Sequence, residues 1–177
     1  MLAVYQAYFQ LEIVTMKLIG KGAFTKAYLL DNGRVQLHSC CPIKECMAHG
    51  WFPESRLFPK LQVVDEGIYE MNYLTRVTAP KRQLNEKDYK LYKALQQVYA
   101  DGSAIDYFSI YKSFEKHLAG FAELETMLEA LDACSNWGTD IGFEISPRNI
   151  SVVAGGYLIL ADCFFHRPTL TKVRSKK

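Results

Sequence analysis

Gly142-Phe143-Glu144-Ile145-Ser146-Pro147-Arg148-Asn149-Ile150, followed by Leu158-Ile159-Leu160-Ala161-Asp162-Cys163-Phe164-Phe165, is the stretch whose reading decides the fold. Asn149 stands five residues after Glu144, and Asp162 thirteen after Asn149, at the end of a Tyr-Leu-Ile-Leu run of strand composition. Carboxylate, amide and carboxylate in this order suit phosphoryl transfer. One acid lies near an accepting hydroxyl, and an amide with a second acid holds Mg²⁺ between phosphates. The plain alternative is a Ser-Pro-Arg-Asn surface turn leading into a hairpin through Gly155-Gly156. For Asp162 it makes a structural carboxylate capping a turn, for Asn149 a turn residue, and for Glu144 a partly exposed acid paired with Arg148.

Upstream of this stretch the texture is helical. Leu84, Tyr89, Leu91, Tyr92, Leu95 and Val98 recur at helical spacing up to Asp101-Gly102. Ile105, Phe108, Tyr111 and Phe114 mark a second helix, and Phe121, Leu124, Met127, Leu128 and Leu131 a third, running to about Cys134. The aromatic residues in these runs read as core, since nothing polar converges on them. Ser151-Val152-Val153 and Leu158-Ile159-Leu160 form a hairpin around Gly155-Gly156.

The first 75 residues read instead as four or five short strands with one short helix. Leu11-Glu12-Ile13-Val14 has strand composition, and residues 19–30 and 34–37 flank Asp31-Asn32-Gly33, the best hairpin signal in the chain. Gly20 and Gly22 lie at the preceding bend. A residue without Cβ lets backbone N–H groups approach phosphates, but a tight hairpin uses the same glycines, and Lys21-Gly22 lacks the spacing of a Walker loop. Pro42 opens a short helix with Glu45 in its first turn, stopped by Gly50 and Pro53. Residues 58–64 and 68–74 then pair across Asp65-Glu66-Gly67.

Composition bounds the function classes. At 177 residues, with 49% hydrophobic and 23% charged residues, the chain is one globular domain with a core of its own. A formal charge of +2 gives no argument for nucleic acid, and no apolar run is long enough to span a membrane. Lys172, Arg174, Lys176 and Lys177 make a basic tail that reads as a frayed, solubilising end. Cys40, Cys41, Cys46, Cys134 and Cys163 are odd in number and follow no disulfide framework, which suits a reducing cytoplasm. Cys41 and Cys46 beside His38 and His49 fit no common zinc spacing, and no cysteine or serine has a base in a visible pattern.

The order of elements resembles the protein-kinase-like fold shortened to a minimum: α+β and bilobal, with a strand-rich N-lobe over about 1–75, a helical C-lobe over about 80–168 and the basic tail at 169–177. In that likeness Gly20 and Gly22 look like the first glycines of the nucleotide loop, with Lys21 between them. Residues 69–74 look like the last N-lobe strand running into the hinge, where Tyr73 meets the adenine. Glu144 falls on the catalytic-loop aspartate, Asn149 on the Mg²⁺-binding asparagine and Asp162 on the aspartate of the Asp-Phe-Gly element. Within that fold the chain resembles the small early serine/threonine protein kinases of podophages. The carrying segments are Phe143-Glu144-Ile145-Ser146-Pro147-Arg148-Asn149-Ile150 and Gly20-Lys21-Gly22-Ala23-Phe24-Thr25-Lys26-Ala27-Tyr28.

The departures from this pattern matter as much as the matches. Glu144 adds a methylene to the usual aspartate, and Cys163-Phe164 replaces the Phe-Gly after Asp162. Two registers exist for the phosphate-pairing lysine. Aligned through Arg34-Val35, its place is taken by Leu37, and Glu45 survives as the helix-borne partner of a lost cation. Counted from the glycines, it is Lys44, with Glu54 as partner. The first register is favoured because Pro42 starts a helix. The cation would then come from Lys21 or Lys26, with Lys44 a solvated helix lysine. The resemblance thus implies a degenerate kinase-fold phage protein that binds and inhibits or redirects a host protein in the host cytoplasm. The alternative is an active serine/threonine kinase using ATP and Mg²⁺, in which Lys44, Glu144, Asn149 and Asp162 act and Gly20, Lys21, Gly22 and Tyr73 hold nucleotide. In the binding role no cofactor is required.

Overall fold

The computed structural model describes residues 16–101 and 106–175. The strand reading at Leu11–Val14, the position of Ile105 and the last two lysines lie outside those residues. The N-terminal half is a five-stranded antiparallel sheet ordered β1-β2-β3-β5-β4, made of β1 (Met16–Lys21), β2 (Thr25–Leu30), β3 (Arg34–Ser39), β4 (Gln62–Asp65) and β5 (Ile68–Asn72). Helix α1 (Pro42–Ala48) leaves β3 before the chain returns to β4. The β2–β3 turn follows from its chemistry: Asn32 Oδ1 accepts the Arg34 N–H at 2.9 Å and Gly33 takes a φ of 78°, a left-handed conformation that costs glycine little. The strand expected over residues 58–64 begins only at Gln62, because Leu57 and Phe58 are drawn into the helical core instead.

After β6 (Thr75–Arg76) come the helices α2 (Pro80–Gln83), α3 (Glu86–Ala100), α4 (Tyr107–Leu118) and α5 (Leu124–Ser135). Two small sheets follow from β7 (Ile141–Phe143), β8 (Ile150–Val153), β9 (Tyr157–Leu160) and β10 (Phe164–His166). One pairs β7 with β10 and the other is ordered β6-β8-β9. The tail read as frayed is a helix, α6 (Arg167–Arg174), with Pro168 in its first turn and none of its residues buried. The fold is α+β, with an N-terminal sheet and C-terminal helices. No helix among the described residues is long and apolar enough to cross a membrane.

Two hydrophobic clusters form the interior. The smaller, Val35, Leu37, Leu61, Tyr69 and Met71, lies on one face of the large sheet, as the alternation along β3 and β5 dictates. The larger gathers α3, α4 and α5 around β7 to β10, with Phe114, Phe143 and Phe164 in mutual edge-on or tilted contact at 5.2–6.2 Å. Helix α1 joins the two. Met47 touches both clusters, Ile43 belongs to the larger, and the fully buried Cys46 thiol lies 3.7 Å from the Ala133 carbonyl and accepts the Trp137 indole N–H at 3.1 Å.

The hairpin of β8 and β9 is tied to the first turn of α3. Asn85 caps that helix by accepting the Asp88 N–H at 2.9 Å and also donates through Nδ2 to Gly156 O at 3.0 Å. Asp88, 1% exposed, accepts two bonds from Arg56 at 2.7 and 2.8 Å and one from Leu158 N at 2.7 Å. Both oxygens of this buried carboxylate are hydrogen-bonded, which offsets its removal from water.

Candidate functional site

A cleft of about 410 Å³ opens between the large sheet and the β7–β10 region. From above it is walled by Gly20, Lys21 and Gly22 of the β1–β2 bend and by Leu37 of β3. From below it is walled by Asn149, Ala161 and Asp162, with Lys44 entering from α1. The glycines are not explained by the bend itself. Neither has a left-handed φ, and a Cβ would find Ala27 Cβ 3.6 Å from Gly20 and Thr25 O 3.7 Å from Gly22, both ordinary contacts. The Cβ-free edge faces the cleft without any demand from the turn.

The lower wall is built from backbone bonds that join residues distant in sequence. Pairing of β7 with β10 continues one step beyond the strands, where Glu144 N donates to Cys163 O at 2.9 Å. That pairing needs Gly142, since a Cβ there would lie 2.2 Å from the Phe165 ring. Residues 144–149 then turn back, with Asn149 N donating to Ser146 O at 3.0 Å and Arg148 N to Ser146 Oγ at 3.3 Å. The Asn149 carbonyl accepts both Ala161 N at 3.0 Å and Asp162 N at 3.1 Å, and its Nδ2 donates to Glu144 O at 3.3 Å. The turn and hairpin of the plain reading are therefore present, and they bring the Asn149 and Asp162 backbones together.

Lys44 differs from its sequence reading. Far from being a solvated helix lysine, it has a side chain 5% exposed and an ammonium 3.0 Å from Asp162 Oδ1, and it also donates to Ala161 O. Asp162 is 41% exposed and opens onto the cleft. The two registers describe two walls of one cavity. Leu37 is the strand residue, and the cation comes from the helix. Glu54, offered as the partner of Lys44, is 92% exposed and lies 3.7 Å from Lys60 instead. Glu45 is half-buried and does not line the cleft. Lys26 lines a separate depression on the far side of the β1–β2 bend, together with Lys21.

Tyr73 is 55% exposed and does not line the cleft. Glu144 faces an adjoining depression, also about 410 Å³, with Arg76, Thr78, Ser146 and Arg148. Arg76 and Arg148 line both cavities. Among the described residues Glu144 forms no ion pair, with Arg148 or any other cation. Just below the site, burial pushes the Cys163 thiol up, so it remains a protonated, weakly polar filler. Burial raises Cys41 in the same way.

The donor set of the lower wall fits a hard, oxygen-seeking cation that shares its coordination with phosphates and water. Asp162 spends one oxygen on Lys44 and has the other to offer, while Asn149 uses its amide nitrogen internally and leaves Oδ1 free. It does not fit a metal held by protein alone. No group of three or more His, Cys, Asp or Glu residues that could hold a metal occurs among the described residues. Sequence reasoning missed Arg76 because a lone arginine in a connector carries no signal. No known protein-family model matches the chain, and no match is found among curated proteins.

Proposed function

We propose that this chain is a kinase-like protein that binds Mg·ATP in the cleft and moves the γ-phosphoryl group to a serine or threonine hydroxyl of a host protein. One observation carries the reading: the buried Lys44 brings to the cleft, from a helix, the cation that β3 lacks at Leu37, and aims it at Asp162. The Gly20-Lys21-Gly22 bend covers the phosphates, its Cβ-free backbone allowing close approach while the Gly22 N–H stays on Thr25 O, Lys44 neutralises phosphate charge, and Tyr73 follows the strand that leads to the adenine side. Asp162 and Asn149 are the residues that would hold Mg²⁺, which would supply neutralisation of phosphate charge. Glu144 accepts the proton of the acceptor hydroxyl as its oxygen bonds to the γ-phosphorus and the bond to the β–γ bridging oxygen breaks, releasing ADP.

A second reading keeps the same frame but without transfer, as a phage protein that binds and inhibits or redirects a host protein in the host cytoplasm. Leu37, which presents hydrocarbon to the cleft, and the longer arm of Glu144 favour it. Mg·ATP thermal shift together with γ-phosphate transfer from labelled ATP onto host lysate proteins separates the two. Mg-dependent stabilisation lost in both Lys44→Met and Asp162→Asn, with transfer lost in Glu144→Gln, is the result expected. Stabilisation without transfer selects the binding role, and no shift at millimolar ATP removes nucleotide from either account.

A further inference from the structure

The depression beside Glu144 is walled by two guanidinium groups that the fold does not use. Arg76 is exposed on β6, opposite Ser151 of β8, and Arg148 is exposed on the turn that enters β8. The β6–β8 pairing sets Arg76 on an edge strand of a small sheet, opposite Ser151, while Arg148 precedes the central strand of that sheet. Among the described residues neither guanidinium takes part in an ion pair or a hydrogen bond. Arg34 and Arg56, by contrast, are used by the fold: Arg34 pairs with Glu70 at 3.2 Å, and Arg56 with Asp88.

The depression thus holds two unspent cations and one carboxylate, Glu144. From this we infer that it binds an acidic peptide segment, whose carboxylates flank the accepting hydroxyl and engage Arg76 and Arg148. The inference rests on the reading of Glu144 as the residue that faces the acceptor. Guanidinium is suited to this role because its planar fork meets a carboxylate with two parallel hydrogen bonds. Both arginines line the same depression as Glu144, so an acidic segment held there by its carboxylates brings its own hydroxyl into the cavity that Glu144 faces. A basic segment meets like charge on both sides, so the depression selects by repulsion as well as attraction.

The test measures peptide binding without nucleotide, so it stands apart from the question of transfer. A fluorescein-labelled peptide with one serine among glutamates is titrated by anisotropy against the full chain, beside a serine–lysine peptide and a peptide with phosphoserines replacing the glutamates. The glutamate peptide is expected to bind and the lysine peptide not, with affinity falling as salt rises. Arg76→Glu and Arg148→Glu each weaken the glutamate peptide by about tenfold. An unchanged midpoint of urea denaturation shows that these variants fold. Equal affinity for both serine peptides overturns the inference, as does binding of the phosphoserine peptide alone. Loss of Mg·ATP stabilisation in the arginine variants, with peptide affinity unchanged, overturns it by assigning the guanidiniums to nucleotide. Failure of ATP to bind the native chain, with the acidic peptide still bound, removes the transfer reading and leaves the peptide site.

Discussion

The Lys44 ammonium lies 3.0 Å from a carboxylate oxygen of Asp162, and the two partners differ sharply in exposure, 5% against 41%. The asymmetry predicts unequal costs. Asp162→Asn strands a buried ammonium on the Ala161 carbonyl and lowers stability by about 1–2 kcal/mol. Lys44→Met keeps the length of the side chain and frees an acid that water already reaches, so the loss is under about 1 kcal/mol. Urea denaturation of both variants checks this, and a costlier Lys44→Met would contradict it.

Gly142 faces the Phe165 ring so closely that any side chain must displace it. Gly142→Ala is expected to cost about 1–3 kcal/mol. Adding Phe165→Leu recovers part of that loss, because the two positions share one space. A double-mutant cycle by thermal denaturation measures the coupling; additive losses would show that the ring is not the obstacle.

Arg56 holds the buried carboxylate of Asp88 by two hydrogen bonds and also lies 5.1 Å over the Tyr157 ring. Arg56→Ala leaves that carboxylate with only a backbone partner at Leu158 and the cap of α3 weakened, at about 2–3 kcal/mol. Arg56→Lys restores the charge but not the fork and falls between. Chemical denaturation ranks the three proteins, and equal stability of the alanine and lysine variants would reject the fork.

Tyr107 donates its hydroxyl to Asp132, and that bond, more than desolvation, pushes its pKa up to about 12. The folded value lies above the ordinary 10.0, so the contribution to stability is full below about pH 10 and is lost as pH rises through about 12. Tyrosinate absorbance during alkaline titration should show Tyr107 among the late-titrating rings, beside Tyr69 and Tyr92, which burial also raises. Asp132→Asn moves Tyr107 earlier; an unchanged titration curve would assign the late rings elsewhere.

Much of the scaffold was legible because its signals are local. Asn32-Gly33 announces its hairpin, Pro42 its helix, and the Leu and aromatic spacing of α3, α4 and α5 is helical whatever they pack against. The pairing of β7 with β10 was not legible, since three-residue strands are too short to show a period and their partners lie far apart in sequence. The Glu144, Asn149 and Asp162 spacing pointed to one region, but the burial of Lys44 depends on α1 packing against β10 and α5, which no local pattern reveals. For the same reason a strand register and a helix register for the lysine competed in the sequence, while in space Leu37 and Lys44 share one cavity.

Helix α1 acts as a rivet. Because Ile43 is buried in the larger cluster and Cys46 against Ala133 and Trp137, swinging the helix outward to withdraw Lys44 would strip both from their surroundings. At about 1.5–3 kcal/mol for a large buried apolar side chain such as Ile43, with a further cost for Cys46, the withdrawn state is a minor fraction of molecules. The charge that enters the cleft is therefore standing equipment, ready before any ligand arrives.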